Sequence, residues 1–486
     1  MNTNFLEMAE KNLPQLLEKN INPSPKRVTL NKGDSIVLDL GNHYVGYFSF
    51  VMRKVSEYID APVRLVIRFC EIERELYDDY DDYCGWLSAS WLQEEVVNVD
   101  FPGVFALPRR YAARYIKITV KYTPRPIELS AFNFKAVTSA NIDSLIPCRI
   151  NDPLLKRIDE VAVNTLKNCM HRVFEDGPKR DRRLWIGDLR LEALANYYTF
   201  NNYDIVKRCL YLFAATQKNS CGFMPGFLYE YPEFESGSWF LEDYSLLYVC
   251  SLCDYLEHSG DVETFRDLYE TAKGIVNAAI ATLDDDGFMT TPADGDVFID
   301  WCAGLEKMTA LHGVYLYTLD LWCKALEKAN MPDVLEYQAH LKEGRANALL
   351  RLFDSEKCAF INARDNFQYS VHATSWMILG GVLDEDTAQK AILKVLNSDS
   401  SVKPFTPYMH HYAVLALCKV GLYTEAEEYI KRIWGGMVKL GADTFFEAYV
   451  PTDPDFSPYD DRKVNSMCHA WSCTPTYFIR KYKMGV

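Results

Sequence analysis

Two clusters of polar residues contain the side chains that acid/base chemistry needs. The first spans residues 175–188, where carboxylates and cations surround Trp185 between two helical patterns. Gly177 and Pro178 break local structure, so this segment is predicted to be a loop leading into a helix. A solvated charge run is the common alternative for such a composition, but the Gly-Pro and Trp-x-Gly-Asp elements favour a fixed conformation.

The second cluster lies near the carboxyl end, in a predicted loop before the last helix. Glu447 stands there between Phe446 and Tyr449. A carboxylate among aromatic residues is either unusually desolvated or turned out to solvent, and the desolvated form suits a general acid or base. His469 follows and could donate a hydrogen bond to a sugar hydroxyl, although the sequence alone favours a satisfied histidine at a helix end.

The elements that must position these clusters are of two kinds. From Val28 to Val137 apolar residues recur with a period of two, as an antiparallel β-sandwich requires. After Asn151 the period becomes 3.6, with a helix start at Asp152-Pro153. We count about twelve helical segments, starting near residues 152, 188, 203, 240, 261, 308, 333, 368, 386, 409, 422 and 468.

These patterns predict an amino-terminal helix (residues 1–25), a β-sandwich domain (26–140) and a large (α/α)6 barrel (141–486). An open solenoid of helix pairs is the main competing architecture, but the pairs share no sequence period. In a closed ring the first and last hairpins are neighbours. The two carboxylate clusters would then face each other across one cleft, which is what inverting hydrolysis of a glycosidic bond needs.

Composition excludes several other functions. The formal net charge is −15, and we find no basic stripe that could neutralise nucleic acid or an anionic membrane surface. The amino terminus lacks a signal core and the cysteines lack paired spacing, which favours a cytoplasmic, reducing setting. A homodimer is suggested only by the size of the two-domain body.

No motif indicates a metal or a cofactor. The acidic run Asp78–Tyr83 lacks the spacing of a calcium loop and reads as a solvated loop. Cys250 and Cys253 form a C-x-x-C without a second pair, and His410-His411 has no further ligand at suitable spacing. Phosphate-binding and nucleophile-elbow motifs are also missing.

The loop motif resembles the signature of glycoside hydrolase family 78, the α-L-rhamnosidases. Asp176-Gly177-Pro178-Lys179-Arg180-Asp181, followed by Trp185-Ile186-Gly187-Asp188, is similar to that family's Asp, Cys or Gly, Pro, Arg, acid and Trp-x-Gly-Asp run. The segment around Glu447 looks like the family's late Thr-x-Trp-Glu element, and His469-Ala470-Trp471 looks like the element after it.

The resemblance implies a role for each matching position. Asp181 corresponds to the general acid and Glu447 to the general base. The resemblance also implies that Asp176 and Asp188 bind the hydroxyls of the sugar and that Arg180 and Trp185 support the loop. The matching candidates for the walls of the site are Trp239, Asp300 and Trp301. His469 is the candidate hydrogen-bond donor. For Trp239 and Trp301 an ordinary core role remains an alternative.

The sequence also departs from the family pattern. The family's acid is commonly Glu, whereas this chain has Asp181, which is one methylene shorter. The neighbouring arginines would lower its pKa, so burial must outweigh them or they must point away. The β-domain that often follows the barrel is missing, which suggests a compact enzyme acting on small imported glycosides.

The predicted function is therefore inverting, metal-independent hydrolysis of a terminal α-L-rhamnosyl unit. Two alternatives stay open: the same fold and acid pair acting on another deoxy sugar or a uronic acid, and a catalytically silent sugar-binding protein.

Overall fold

The computed structural model describes residues 2–55 and 60–485. An antiparallel β-domain comes first and a helical domain follows it. After helix α1 (Thr3–Lys11), the strands of the β-domain are β1 (Leu17–Ile21), β2 (Arg27–Leu30), β3 (Ser35–Lys54), β4 (Val63–Cys70), β5 (Glu94–Val99), β6 (Gly103–Ala106), β7 (Tyr111–Tyr122) and β8 (Ile127–Thr138). Strand β1 lies within the segment that was predicted as an amino-terminal helix.

Strand β3 is long enough to belong to two layers. Its first half pairs with β7, and through β7 with β4 and β5. Its second half pairs with β8 and β6, and β8 also carries β1 and β2. The alternating apolar residues of both halves face one separate core, which includes Phe48, Ile67 and Ile118. This is the predicted sandwich, built on one bent strand.

Twelve helices form the second domain within the residues that the structure describes. They are α2 (Pro153–Cys169), α3 (Ile186–Tyr197), α4 (Tyr203–Ala214), α5 (Glu242–Ser259), α6 (Val262–Ala281), α7 (Met308–Ala329), α8 (Val334–Leu352), α9 (Val371–Leu379), α10 (Glu385–Asn397), α11 (Pro407–Lys419), α12 (Tyr423–Lys439) and α13 (Pro475–Tyr482). The predicted start of α2 is confirmed. The Asp152 carboxylate caps the helix by accepting hydrogen bonds from the backbone N–H groups of Leu154 and Leu155, and Pro153 is the first helical residue.

The helices close into a double ring. Helices α3, α5, α7, α9 and α11 contact one another in turn, and the circuit returns to α3 through α13 and the short 3-10 turn Ala470–Ser472. Helices α4, α6, α8, α10, α12 and α2 each pack behind one member of this inner ring. Every residue of α3 and α9 is buried, as expected for helices enclosed on all sides. The predicted (α/α)6 barrel is thereby confirmed, and an open solenoid is excluded.

Four loops that each lead from an outer helix to the start of an inner helix converge at one end of the barrel. They lie between α2 and α3, α4 and α5, α6 and α7, and α12 and α13. Short strands brace this end, where β9 (Leu184–Trp185) and β11 (Glu235–Ser236) pair with β10 (Phe227–Tyr229). A second small sheet of β12 (Phe353–Asp354), β13 (Ala359–Ala363) and β14 (Asn366–Tyr369) lies before α9. Within the described residues, no helix is both long and apolar enough to cross a membrane.

Candidate active site

The converging loops form a cavity at the end of the barrel. Both carboxylate clusters predicted from the sequence contribute to it. Its lining consists of Asp176, Asp181, Trp185, Asp188, Trp239, Leu241, Tyr244, Phe298, Trp301, Glu447, Tyr459, His469 and Trp471. Acidic and aromatic side chains therefore dominate its wall.

The loop between α2 and α3 is held in one conformation by its own polar groups. The Asp176 carboxylate accepts a hydrogen bond from the Arg183 backbone N–H at 2.9 Å, and its carbonyl accepts one from Ala470 N–H at 2.7 Å. Gly187 must lack a side chain, because a Cβ there would lie 2.5 Å from the Tyr244 ring. The Trp-x-Gly-Asp element thus allows Asp188 to enter the cavity wall at the start of α3.

Asp176 and Asp188 are buried carboxyls with raised pKa values. Burial is the main cause for both, and the negative charge of Asp181 adds to it. One oxygen of Asp188, Oδ1, has no hydrogen-bond partner among the described residues. These two groups therefore favour the protonated form and can offer hydrogen bonds to a ligand's hydroxyls.

Asp181 occupies a strained and partly exposed turn. Asp181 and Arg182 both have positive φ angles, of 63° and 55°. The Arg182 guanidinium points away from the cavity and donates to the carbonyls of Pro178 and Arg110, at 2.9 and 2.7 Å. Arg183 stacks over the Phe227 ring. Of the three neighbouring arginines only Arg180 approaches the Asp181 carboxylate, at 3.6 Å.

Glu447 is buried in the cavity wall and ionised. It accepts hydrogen bonds from the Arg180 guanidinium, from the Tyr459 hydroxyl at 2.5 Å and from Ser466 N–H at 3.1 Å. Burial by itself raises the pKa of Glu447, but the positive charge and hydrogen bond of Arg180 outweigh it and lower the pKa to about 2. Glu447 in the late cluster is therefore ionised at physiological pH.

His469 bridges the space between Glu447 and Asp188. Its Nε2 lies 3.9 Å from Glu447 Oε1, and its Nδ1 lies 3.6 Å from Asp188 Oδ1. Burial lowers its pKa to about 4, so the imidazole is neutral at ordinary pH. Nδ1 has no hydrogen-bond partner within the described ranges. This favours the predicted ligand-facing role over a satisfied helix-end histidine.

Aromatic rings form the rest of the wall. Trp185 packs edge-to-face with Trp239 at 5.9 Å, and the Trp239 indole N–H donates to Asp296 at 2.8 Å. Trp301 meets Phe298 at 5.3 Å, on the loop between α6 and α7. Trp239 is 36 % exposed and both tryptophans line the cavity, which counts against the alternative of ordinary core residues.

Two predicted site residues lie behind the wall. Asp300 is buried and accepts hydrogen bonds from His372 Nε2 at 2.8 Å, Phe405 N–H at 2.8 Å and the Thr406 hydroxyl at 2.6 Å. It therefore ties the Trp301 loop to α9 and α11 and does not line the cavity. Arg180 acts in a similar way, since it stacks on the Tyr459 ring at 4.4 Å and holds Glu447.

Sequence reasoning missed several lining residues, chiefly Tyr459, Tyr244 and Phe298. Tyr459 lies in an irregular segment with no recognisable motif, yet its hydroxyl binds Glu447. Tyr244 and Phe298 belong to apolar stretches that are typical of a hydrophobic core. No cluster of three or more His, Cys, Asp or Glu side chains in the described part of the chain is arranged to hold a metal ion.

A cavity that joins an ionised glutamate, an aspartate at the rim, buried carboxyls of raised pKa and aromatic walls at the end of an (α/α)6 barrel defines a glycoside hydrolase. The family models agree with this class. Residues 16–138 match the glycosyl hydrolase family 78 alpha-rhamnosidase N-terminal domain, and residues 145–482 match the bacterial alpha-L-rhamnosidase 6 hairpin glycosidase domain. The chain belongs to glycoside hydrolase family 78.

Solved structures give the same assignment. The rhamnosidase from Klebsiella oxytoca with rhamnose bound is 38 % identical, has a TM-score of 0.94 and matches 99 % of both chains. The family 78 rhamnosidase of Bacillus sp. GL1 is 22 % identical with a TM-score of 0.79, over 94 % of this chain and 47 % of that one. The Streptomyces avermitilis α-L-rhamnosidase, complexed with L-rhamnose, is 16 % identical with a TM-score of 0.73, over 96 % and 44 %.

The last two similarities show the fold alone, and this chain spans less than half the length of those two proteins. No curated protein sequence matches the chain.

Proposed function

We propose that this protein hydrolyses a terminal α-L-rhamnosyl unit from small glycosides with inversion at the anomeric carbon. Asp181 acts as the general acid and Glu447 as the general base. The observation that carries this proposal is that the early loop and the late loop each place one of these carboxylates in the wall of a single cavity. Family membership supports the chemistry.

The surroundings of Glu447 suit a base that activates water. Its pKa of about 2 keeps it ionised throughout the physiological range. The neutral His469 stands 3.9 Å from it and can orient a water by a hydrogen bond. A water held between these groups would attack the anomeric carbon from the side opposite the leaving group, as inversion requires.

Exposure favours Asp181 over the other carboxyls as the acid. The Asp181 side chain is 19 % exposed, whereas Asp176, Asp188 and Glu447 are buried. The leaving group must depart toward solvent, so the acid that protonates its oxygen must stand at the open side of the cavity. Arg182 and Arg183 contact the carbonyls of Pro178 and Arg110 and the Phe227 ring, and neither pairs with the Asp181 carboxylate.

The inner part of the cavity suits one sugar ring. Asp176, Asp188 and His469 supply polar groups, and Trp185 and Trp301 supply apolar faces. The relative from Klebsiella oxytoca holds rhamnose, which supports the same sugar here.

Two further proposals concern the setting of the enzyme. All fourteen cysteines are free, which supports a reducing, cytoplasmic location. The homodimer suggested by size is tested by light scattering during size-exclusion chromatography.

An NMR time course tests substrate and stereochemistry together. With an aryl α-L-rhamnoside, we expect β-L-rhamnose to appear first and the α anomer to grow in by mutarotation. Initial release of α-L-rhamnose contradicts inversion. If aryl glycosides of other deoxy sugars or uronic acids are cleaved and rhamnosides are not, the sugar assignment is wrong. Sugar binding without cleavage of any glycoside favours a silent homologue.

A further inference from the structure

The carboxyl group of Glu242, the first residue of α5, is buried without a hydrogen-bond partner. The residue is fully buried, and neither of its carboxyl oxygens has a partner among the described residues. Glu242 does not line the cavity, but Trp239, three residues before it, does. A buried carboxyl without a partner costs stability, so its presence next to the cavity wall calls for a functional explanation.

The loop between α6 and α7 packs directly against Glu242. A Cβ at Gly295 would lie 2.4 Å from Glu242 Oε1, so only glycine allows this approach. Glu242 N–H donates to the Asp296 carbonyl at 3.0 Å, and Asp296 N–H donates to the Phe240 carbonyl at 3.1 Å. The Asp296 carboxylate accepts the indole N–H of Trp239. Glu242 therefore contacts the loop segment that holds the Trp239 wall in place.

The next residue of α5, Asp243, anchors the following part of the same loop. Its carboxylate accepts the backbone N–H groups of Phe298 at 3.1 Å and Ile299 at 2.9 Å. The carboxyl of Glu242 gives no such anchor to the segment around Asp296, because it makes no hydrogen bond. One part of the loop is thus fastened to α5 by a side chain, and the part that holds Trp239 is fastened only through the backbone.

Negative charges act on Glu242 from both elements that surround it. Asp243 belongs to α5, and Asp294 and Asp296 belong to the loop. The nearby cation Lys307 acts on Asp243, where it partly offsets the burial that raises the pKa of that group. Burial, together with the charges of the three aspartates, raises the pKa of Glu242 to about 8. Glu242 is therefore protonated at neutral pH, and its ionisation adds a further negative charge beside the Asp296 segment.

We propose that Glu242 is a positioning residue for the Trp239 wall. Its neutral carboxyl lets the Asp296 segment pack against α5, and its ionisation in alkaline solution displaces that segment together with the Trp239 ring. Repulsion beside a buried group is screened less by water than repulsion between surface charges. The consequence for the substrate rests on the proposed function, because that function makes Trp239 a wall of the sugar site.

Fluorine NMR of protein labelled with 5-fluorotryptophan follows the Trp239 ring directly, and the signal absent from Trp239→Phe identifies it. In the unsubstituted protein, we expect this signal to shift between pH 6 and pH 9.5 with a midpoint near pH 8. In Glu242→Gln, which keeps the shape and stays neutral, it should not move. Asp294→Asn removes one negative neighbour and should lower the midpoint. The control Glu233→Gln, an exposed glutamate before the same helix, should leave the titration unchanged.

A Trp239 signal that is constant with pH in the unsubstituted protein, or that moves equally in Glu242→Gln, overturns the proposal. Kinetics on an aryl α-L-rhamnoside test its consequence. From pH 7 to pH 9.5 the KM of the unsubstituted protein should rise about threefold to tenfold, the size of one aromatic contact. In Glu242→Gln, KM should stay constant, while kcat changes alike in both proteins.

An unchanged KM, or a loss confined to kcat, overturns the link between Glu242 and substrate binding. Failure of the proposed function looks different, since the unsubstituted protein would then neither bind nor cleave the rhamnoside. The titration of the Trp239 signal needs no substrate and is decided independently.

Discussion

Buried carboxylates at the contact between the two domains differ from those around the cavity in how they are paired. In the β-domain, Glu71 accepts hydrogen bonds from His43 at 3.1 Å and from Met467 N–H at 2.6 Å. Glu75 accepts from the Lys179 ammonium at 2.7 Å and from Glu71 N–H at 2.6 Å. These side chains fasten the β-domain to both catalytic loops, and each has full partners.

In the helical domain two carboxyls on α3 are incompletely paired, although Glu447 and Asp300 have full partners. Asp188 has one free oxygen, and Glu192, one turn further along α3, has no hydrogen-bond partner for either oxygen among the described residues. Burial raises the pKa of both groups. Unsatisfied buried polar groups cost stability and are kept where a ligand or a proton is needed. The paired carboxylates Glu71 and Glu75 therefore stabilise the contact between the domains. The unpaired oxygens of Asp188 and Glu192 instead lower the stability of the helical domain.

The largest expected effect is on turnover, from the two proposed catalytic carboxylates. Asp181→Asn and Glu447→Gln should each lower kcat about 10²–10⁴-fold, the usual contribution of one general acid or base. Steady-state kinetics on an aryl rhamnoside checks this. Asp455→Asn is the matched control, since this carboxylate of the late loop is 66 % exposed and pairs with Arg74. Full activity in both site variants contradicts the assignment.

The next largest effect should fall on stability, at the domain contact. Glu75→Gln removes the charge that pairs with the buried Lys179, so the free energy of unfolding should fall by about 3–5 kcal/mol. Urea denaturation measures it. The control is Glu73→Gln, an exposed carboxylate of the same short turn, which should change little. Equal stability of the two variants would mean that the contact between the domains does not depend on this pair.

A smaller effect should appear in the pH dependence of kcat/KM. Glu447 must be ionised to act as a base, and Arg180 keeps its pKa at about 2, so activity should persist below pH 4 for as long as the fold survives. Arg180→Gln removes the charge of Arg180, the strongest of the contacts that oppose burial, while the Tyr459 hydrogen bond remains, so the acid limb should move upward by about one to three pH units. Arg180→Lys, which keeps the charge, should move it less. An unmoved limb in Arg180→Gln would show that another group controls it.

The smallest effect should come from the unpaired carboxyl of Glu192. Its pKa is raised in the folded protein, so the folded state keeps a proton that the unfolded chain releases above the ordinary glutamate pKa of 4.5. Stability of the unsubstituted protein should therefore decrease as pH rises past that value. Glu192→Gln removes this dependence and should gain in relative stability from pH 4.5 to pH 8. Unfolding curves of both proteins at both pH values measure this difference. Identical pH responses of the two proteins would contradict the prediction.

Much of the fold could be predicted because it depends on local periodicity. The start of α4 at Tyr203 and of α7 at Met308 coincide with the predicted positions. The last helix begins at Pro475, later than the predicted 468, because residues 470–472 form a separate short turn. Trp185 was predicted from the loop motif and Trp239 from the family's aromatic walls, and both line the cavity. Their catalytic or binding roles remain predictions.

The tertiary structure decided the rest. Sequence proximity does not show whether Arg182 and Arg183 contact Asp181. The direction of these side chains depends on the positive φ angles of the turn and on contacts with distant residues, such as the Arg110 carbonyl and the Phe227 ring. Tyr459 reaches the cavity wall from an irregular segment without a recognisable motif. By itself the sequence determined which carboxylates exist and which elements carry them, since periodicity and spacing are local. Partners, burial and ionisation depend on contacts between distant segments, and only the folded chain defines those.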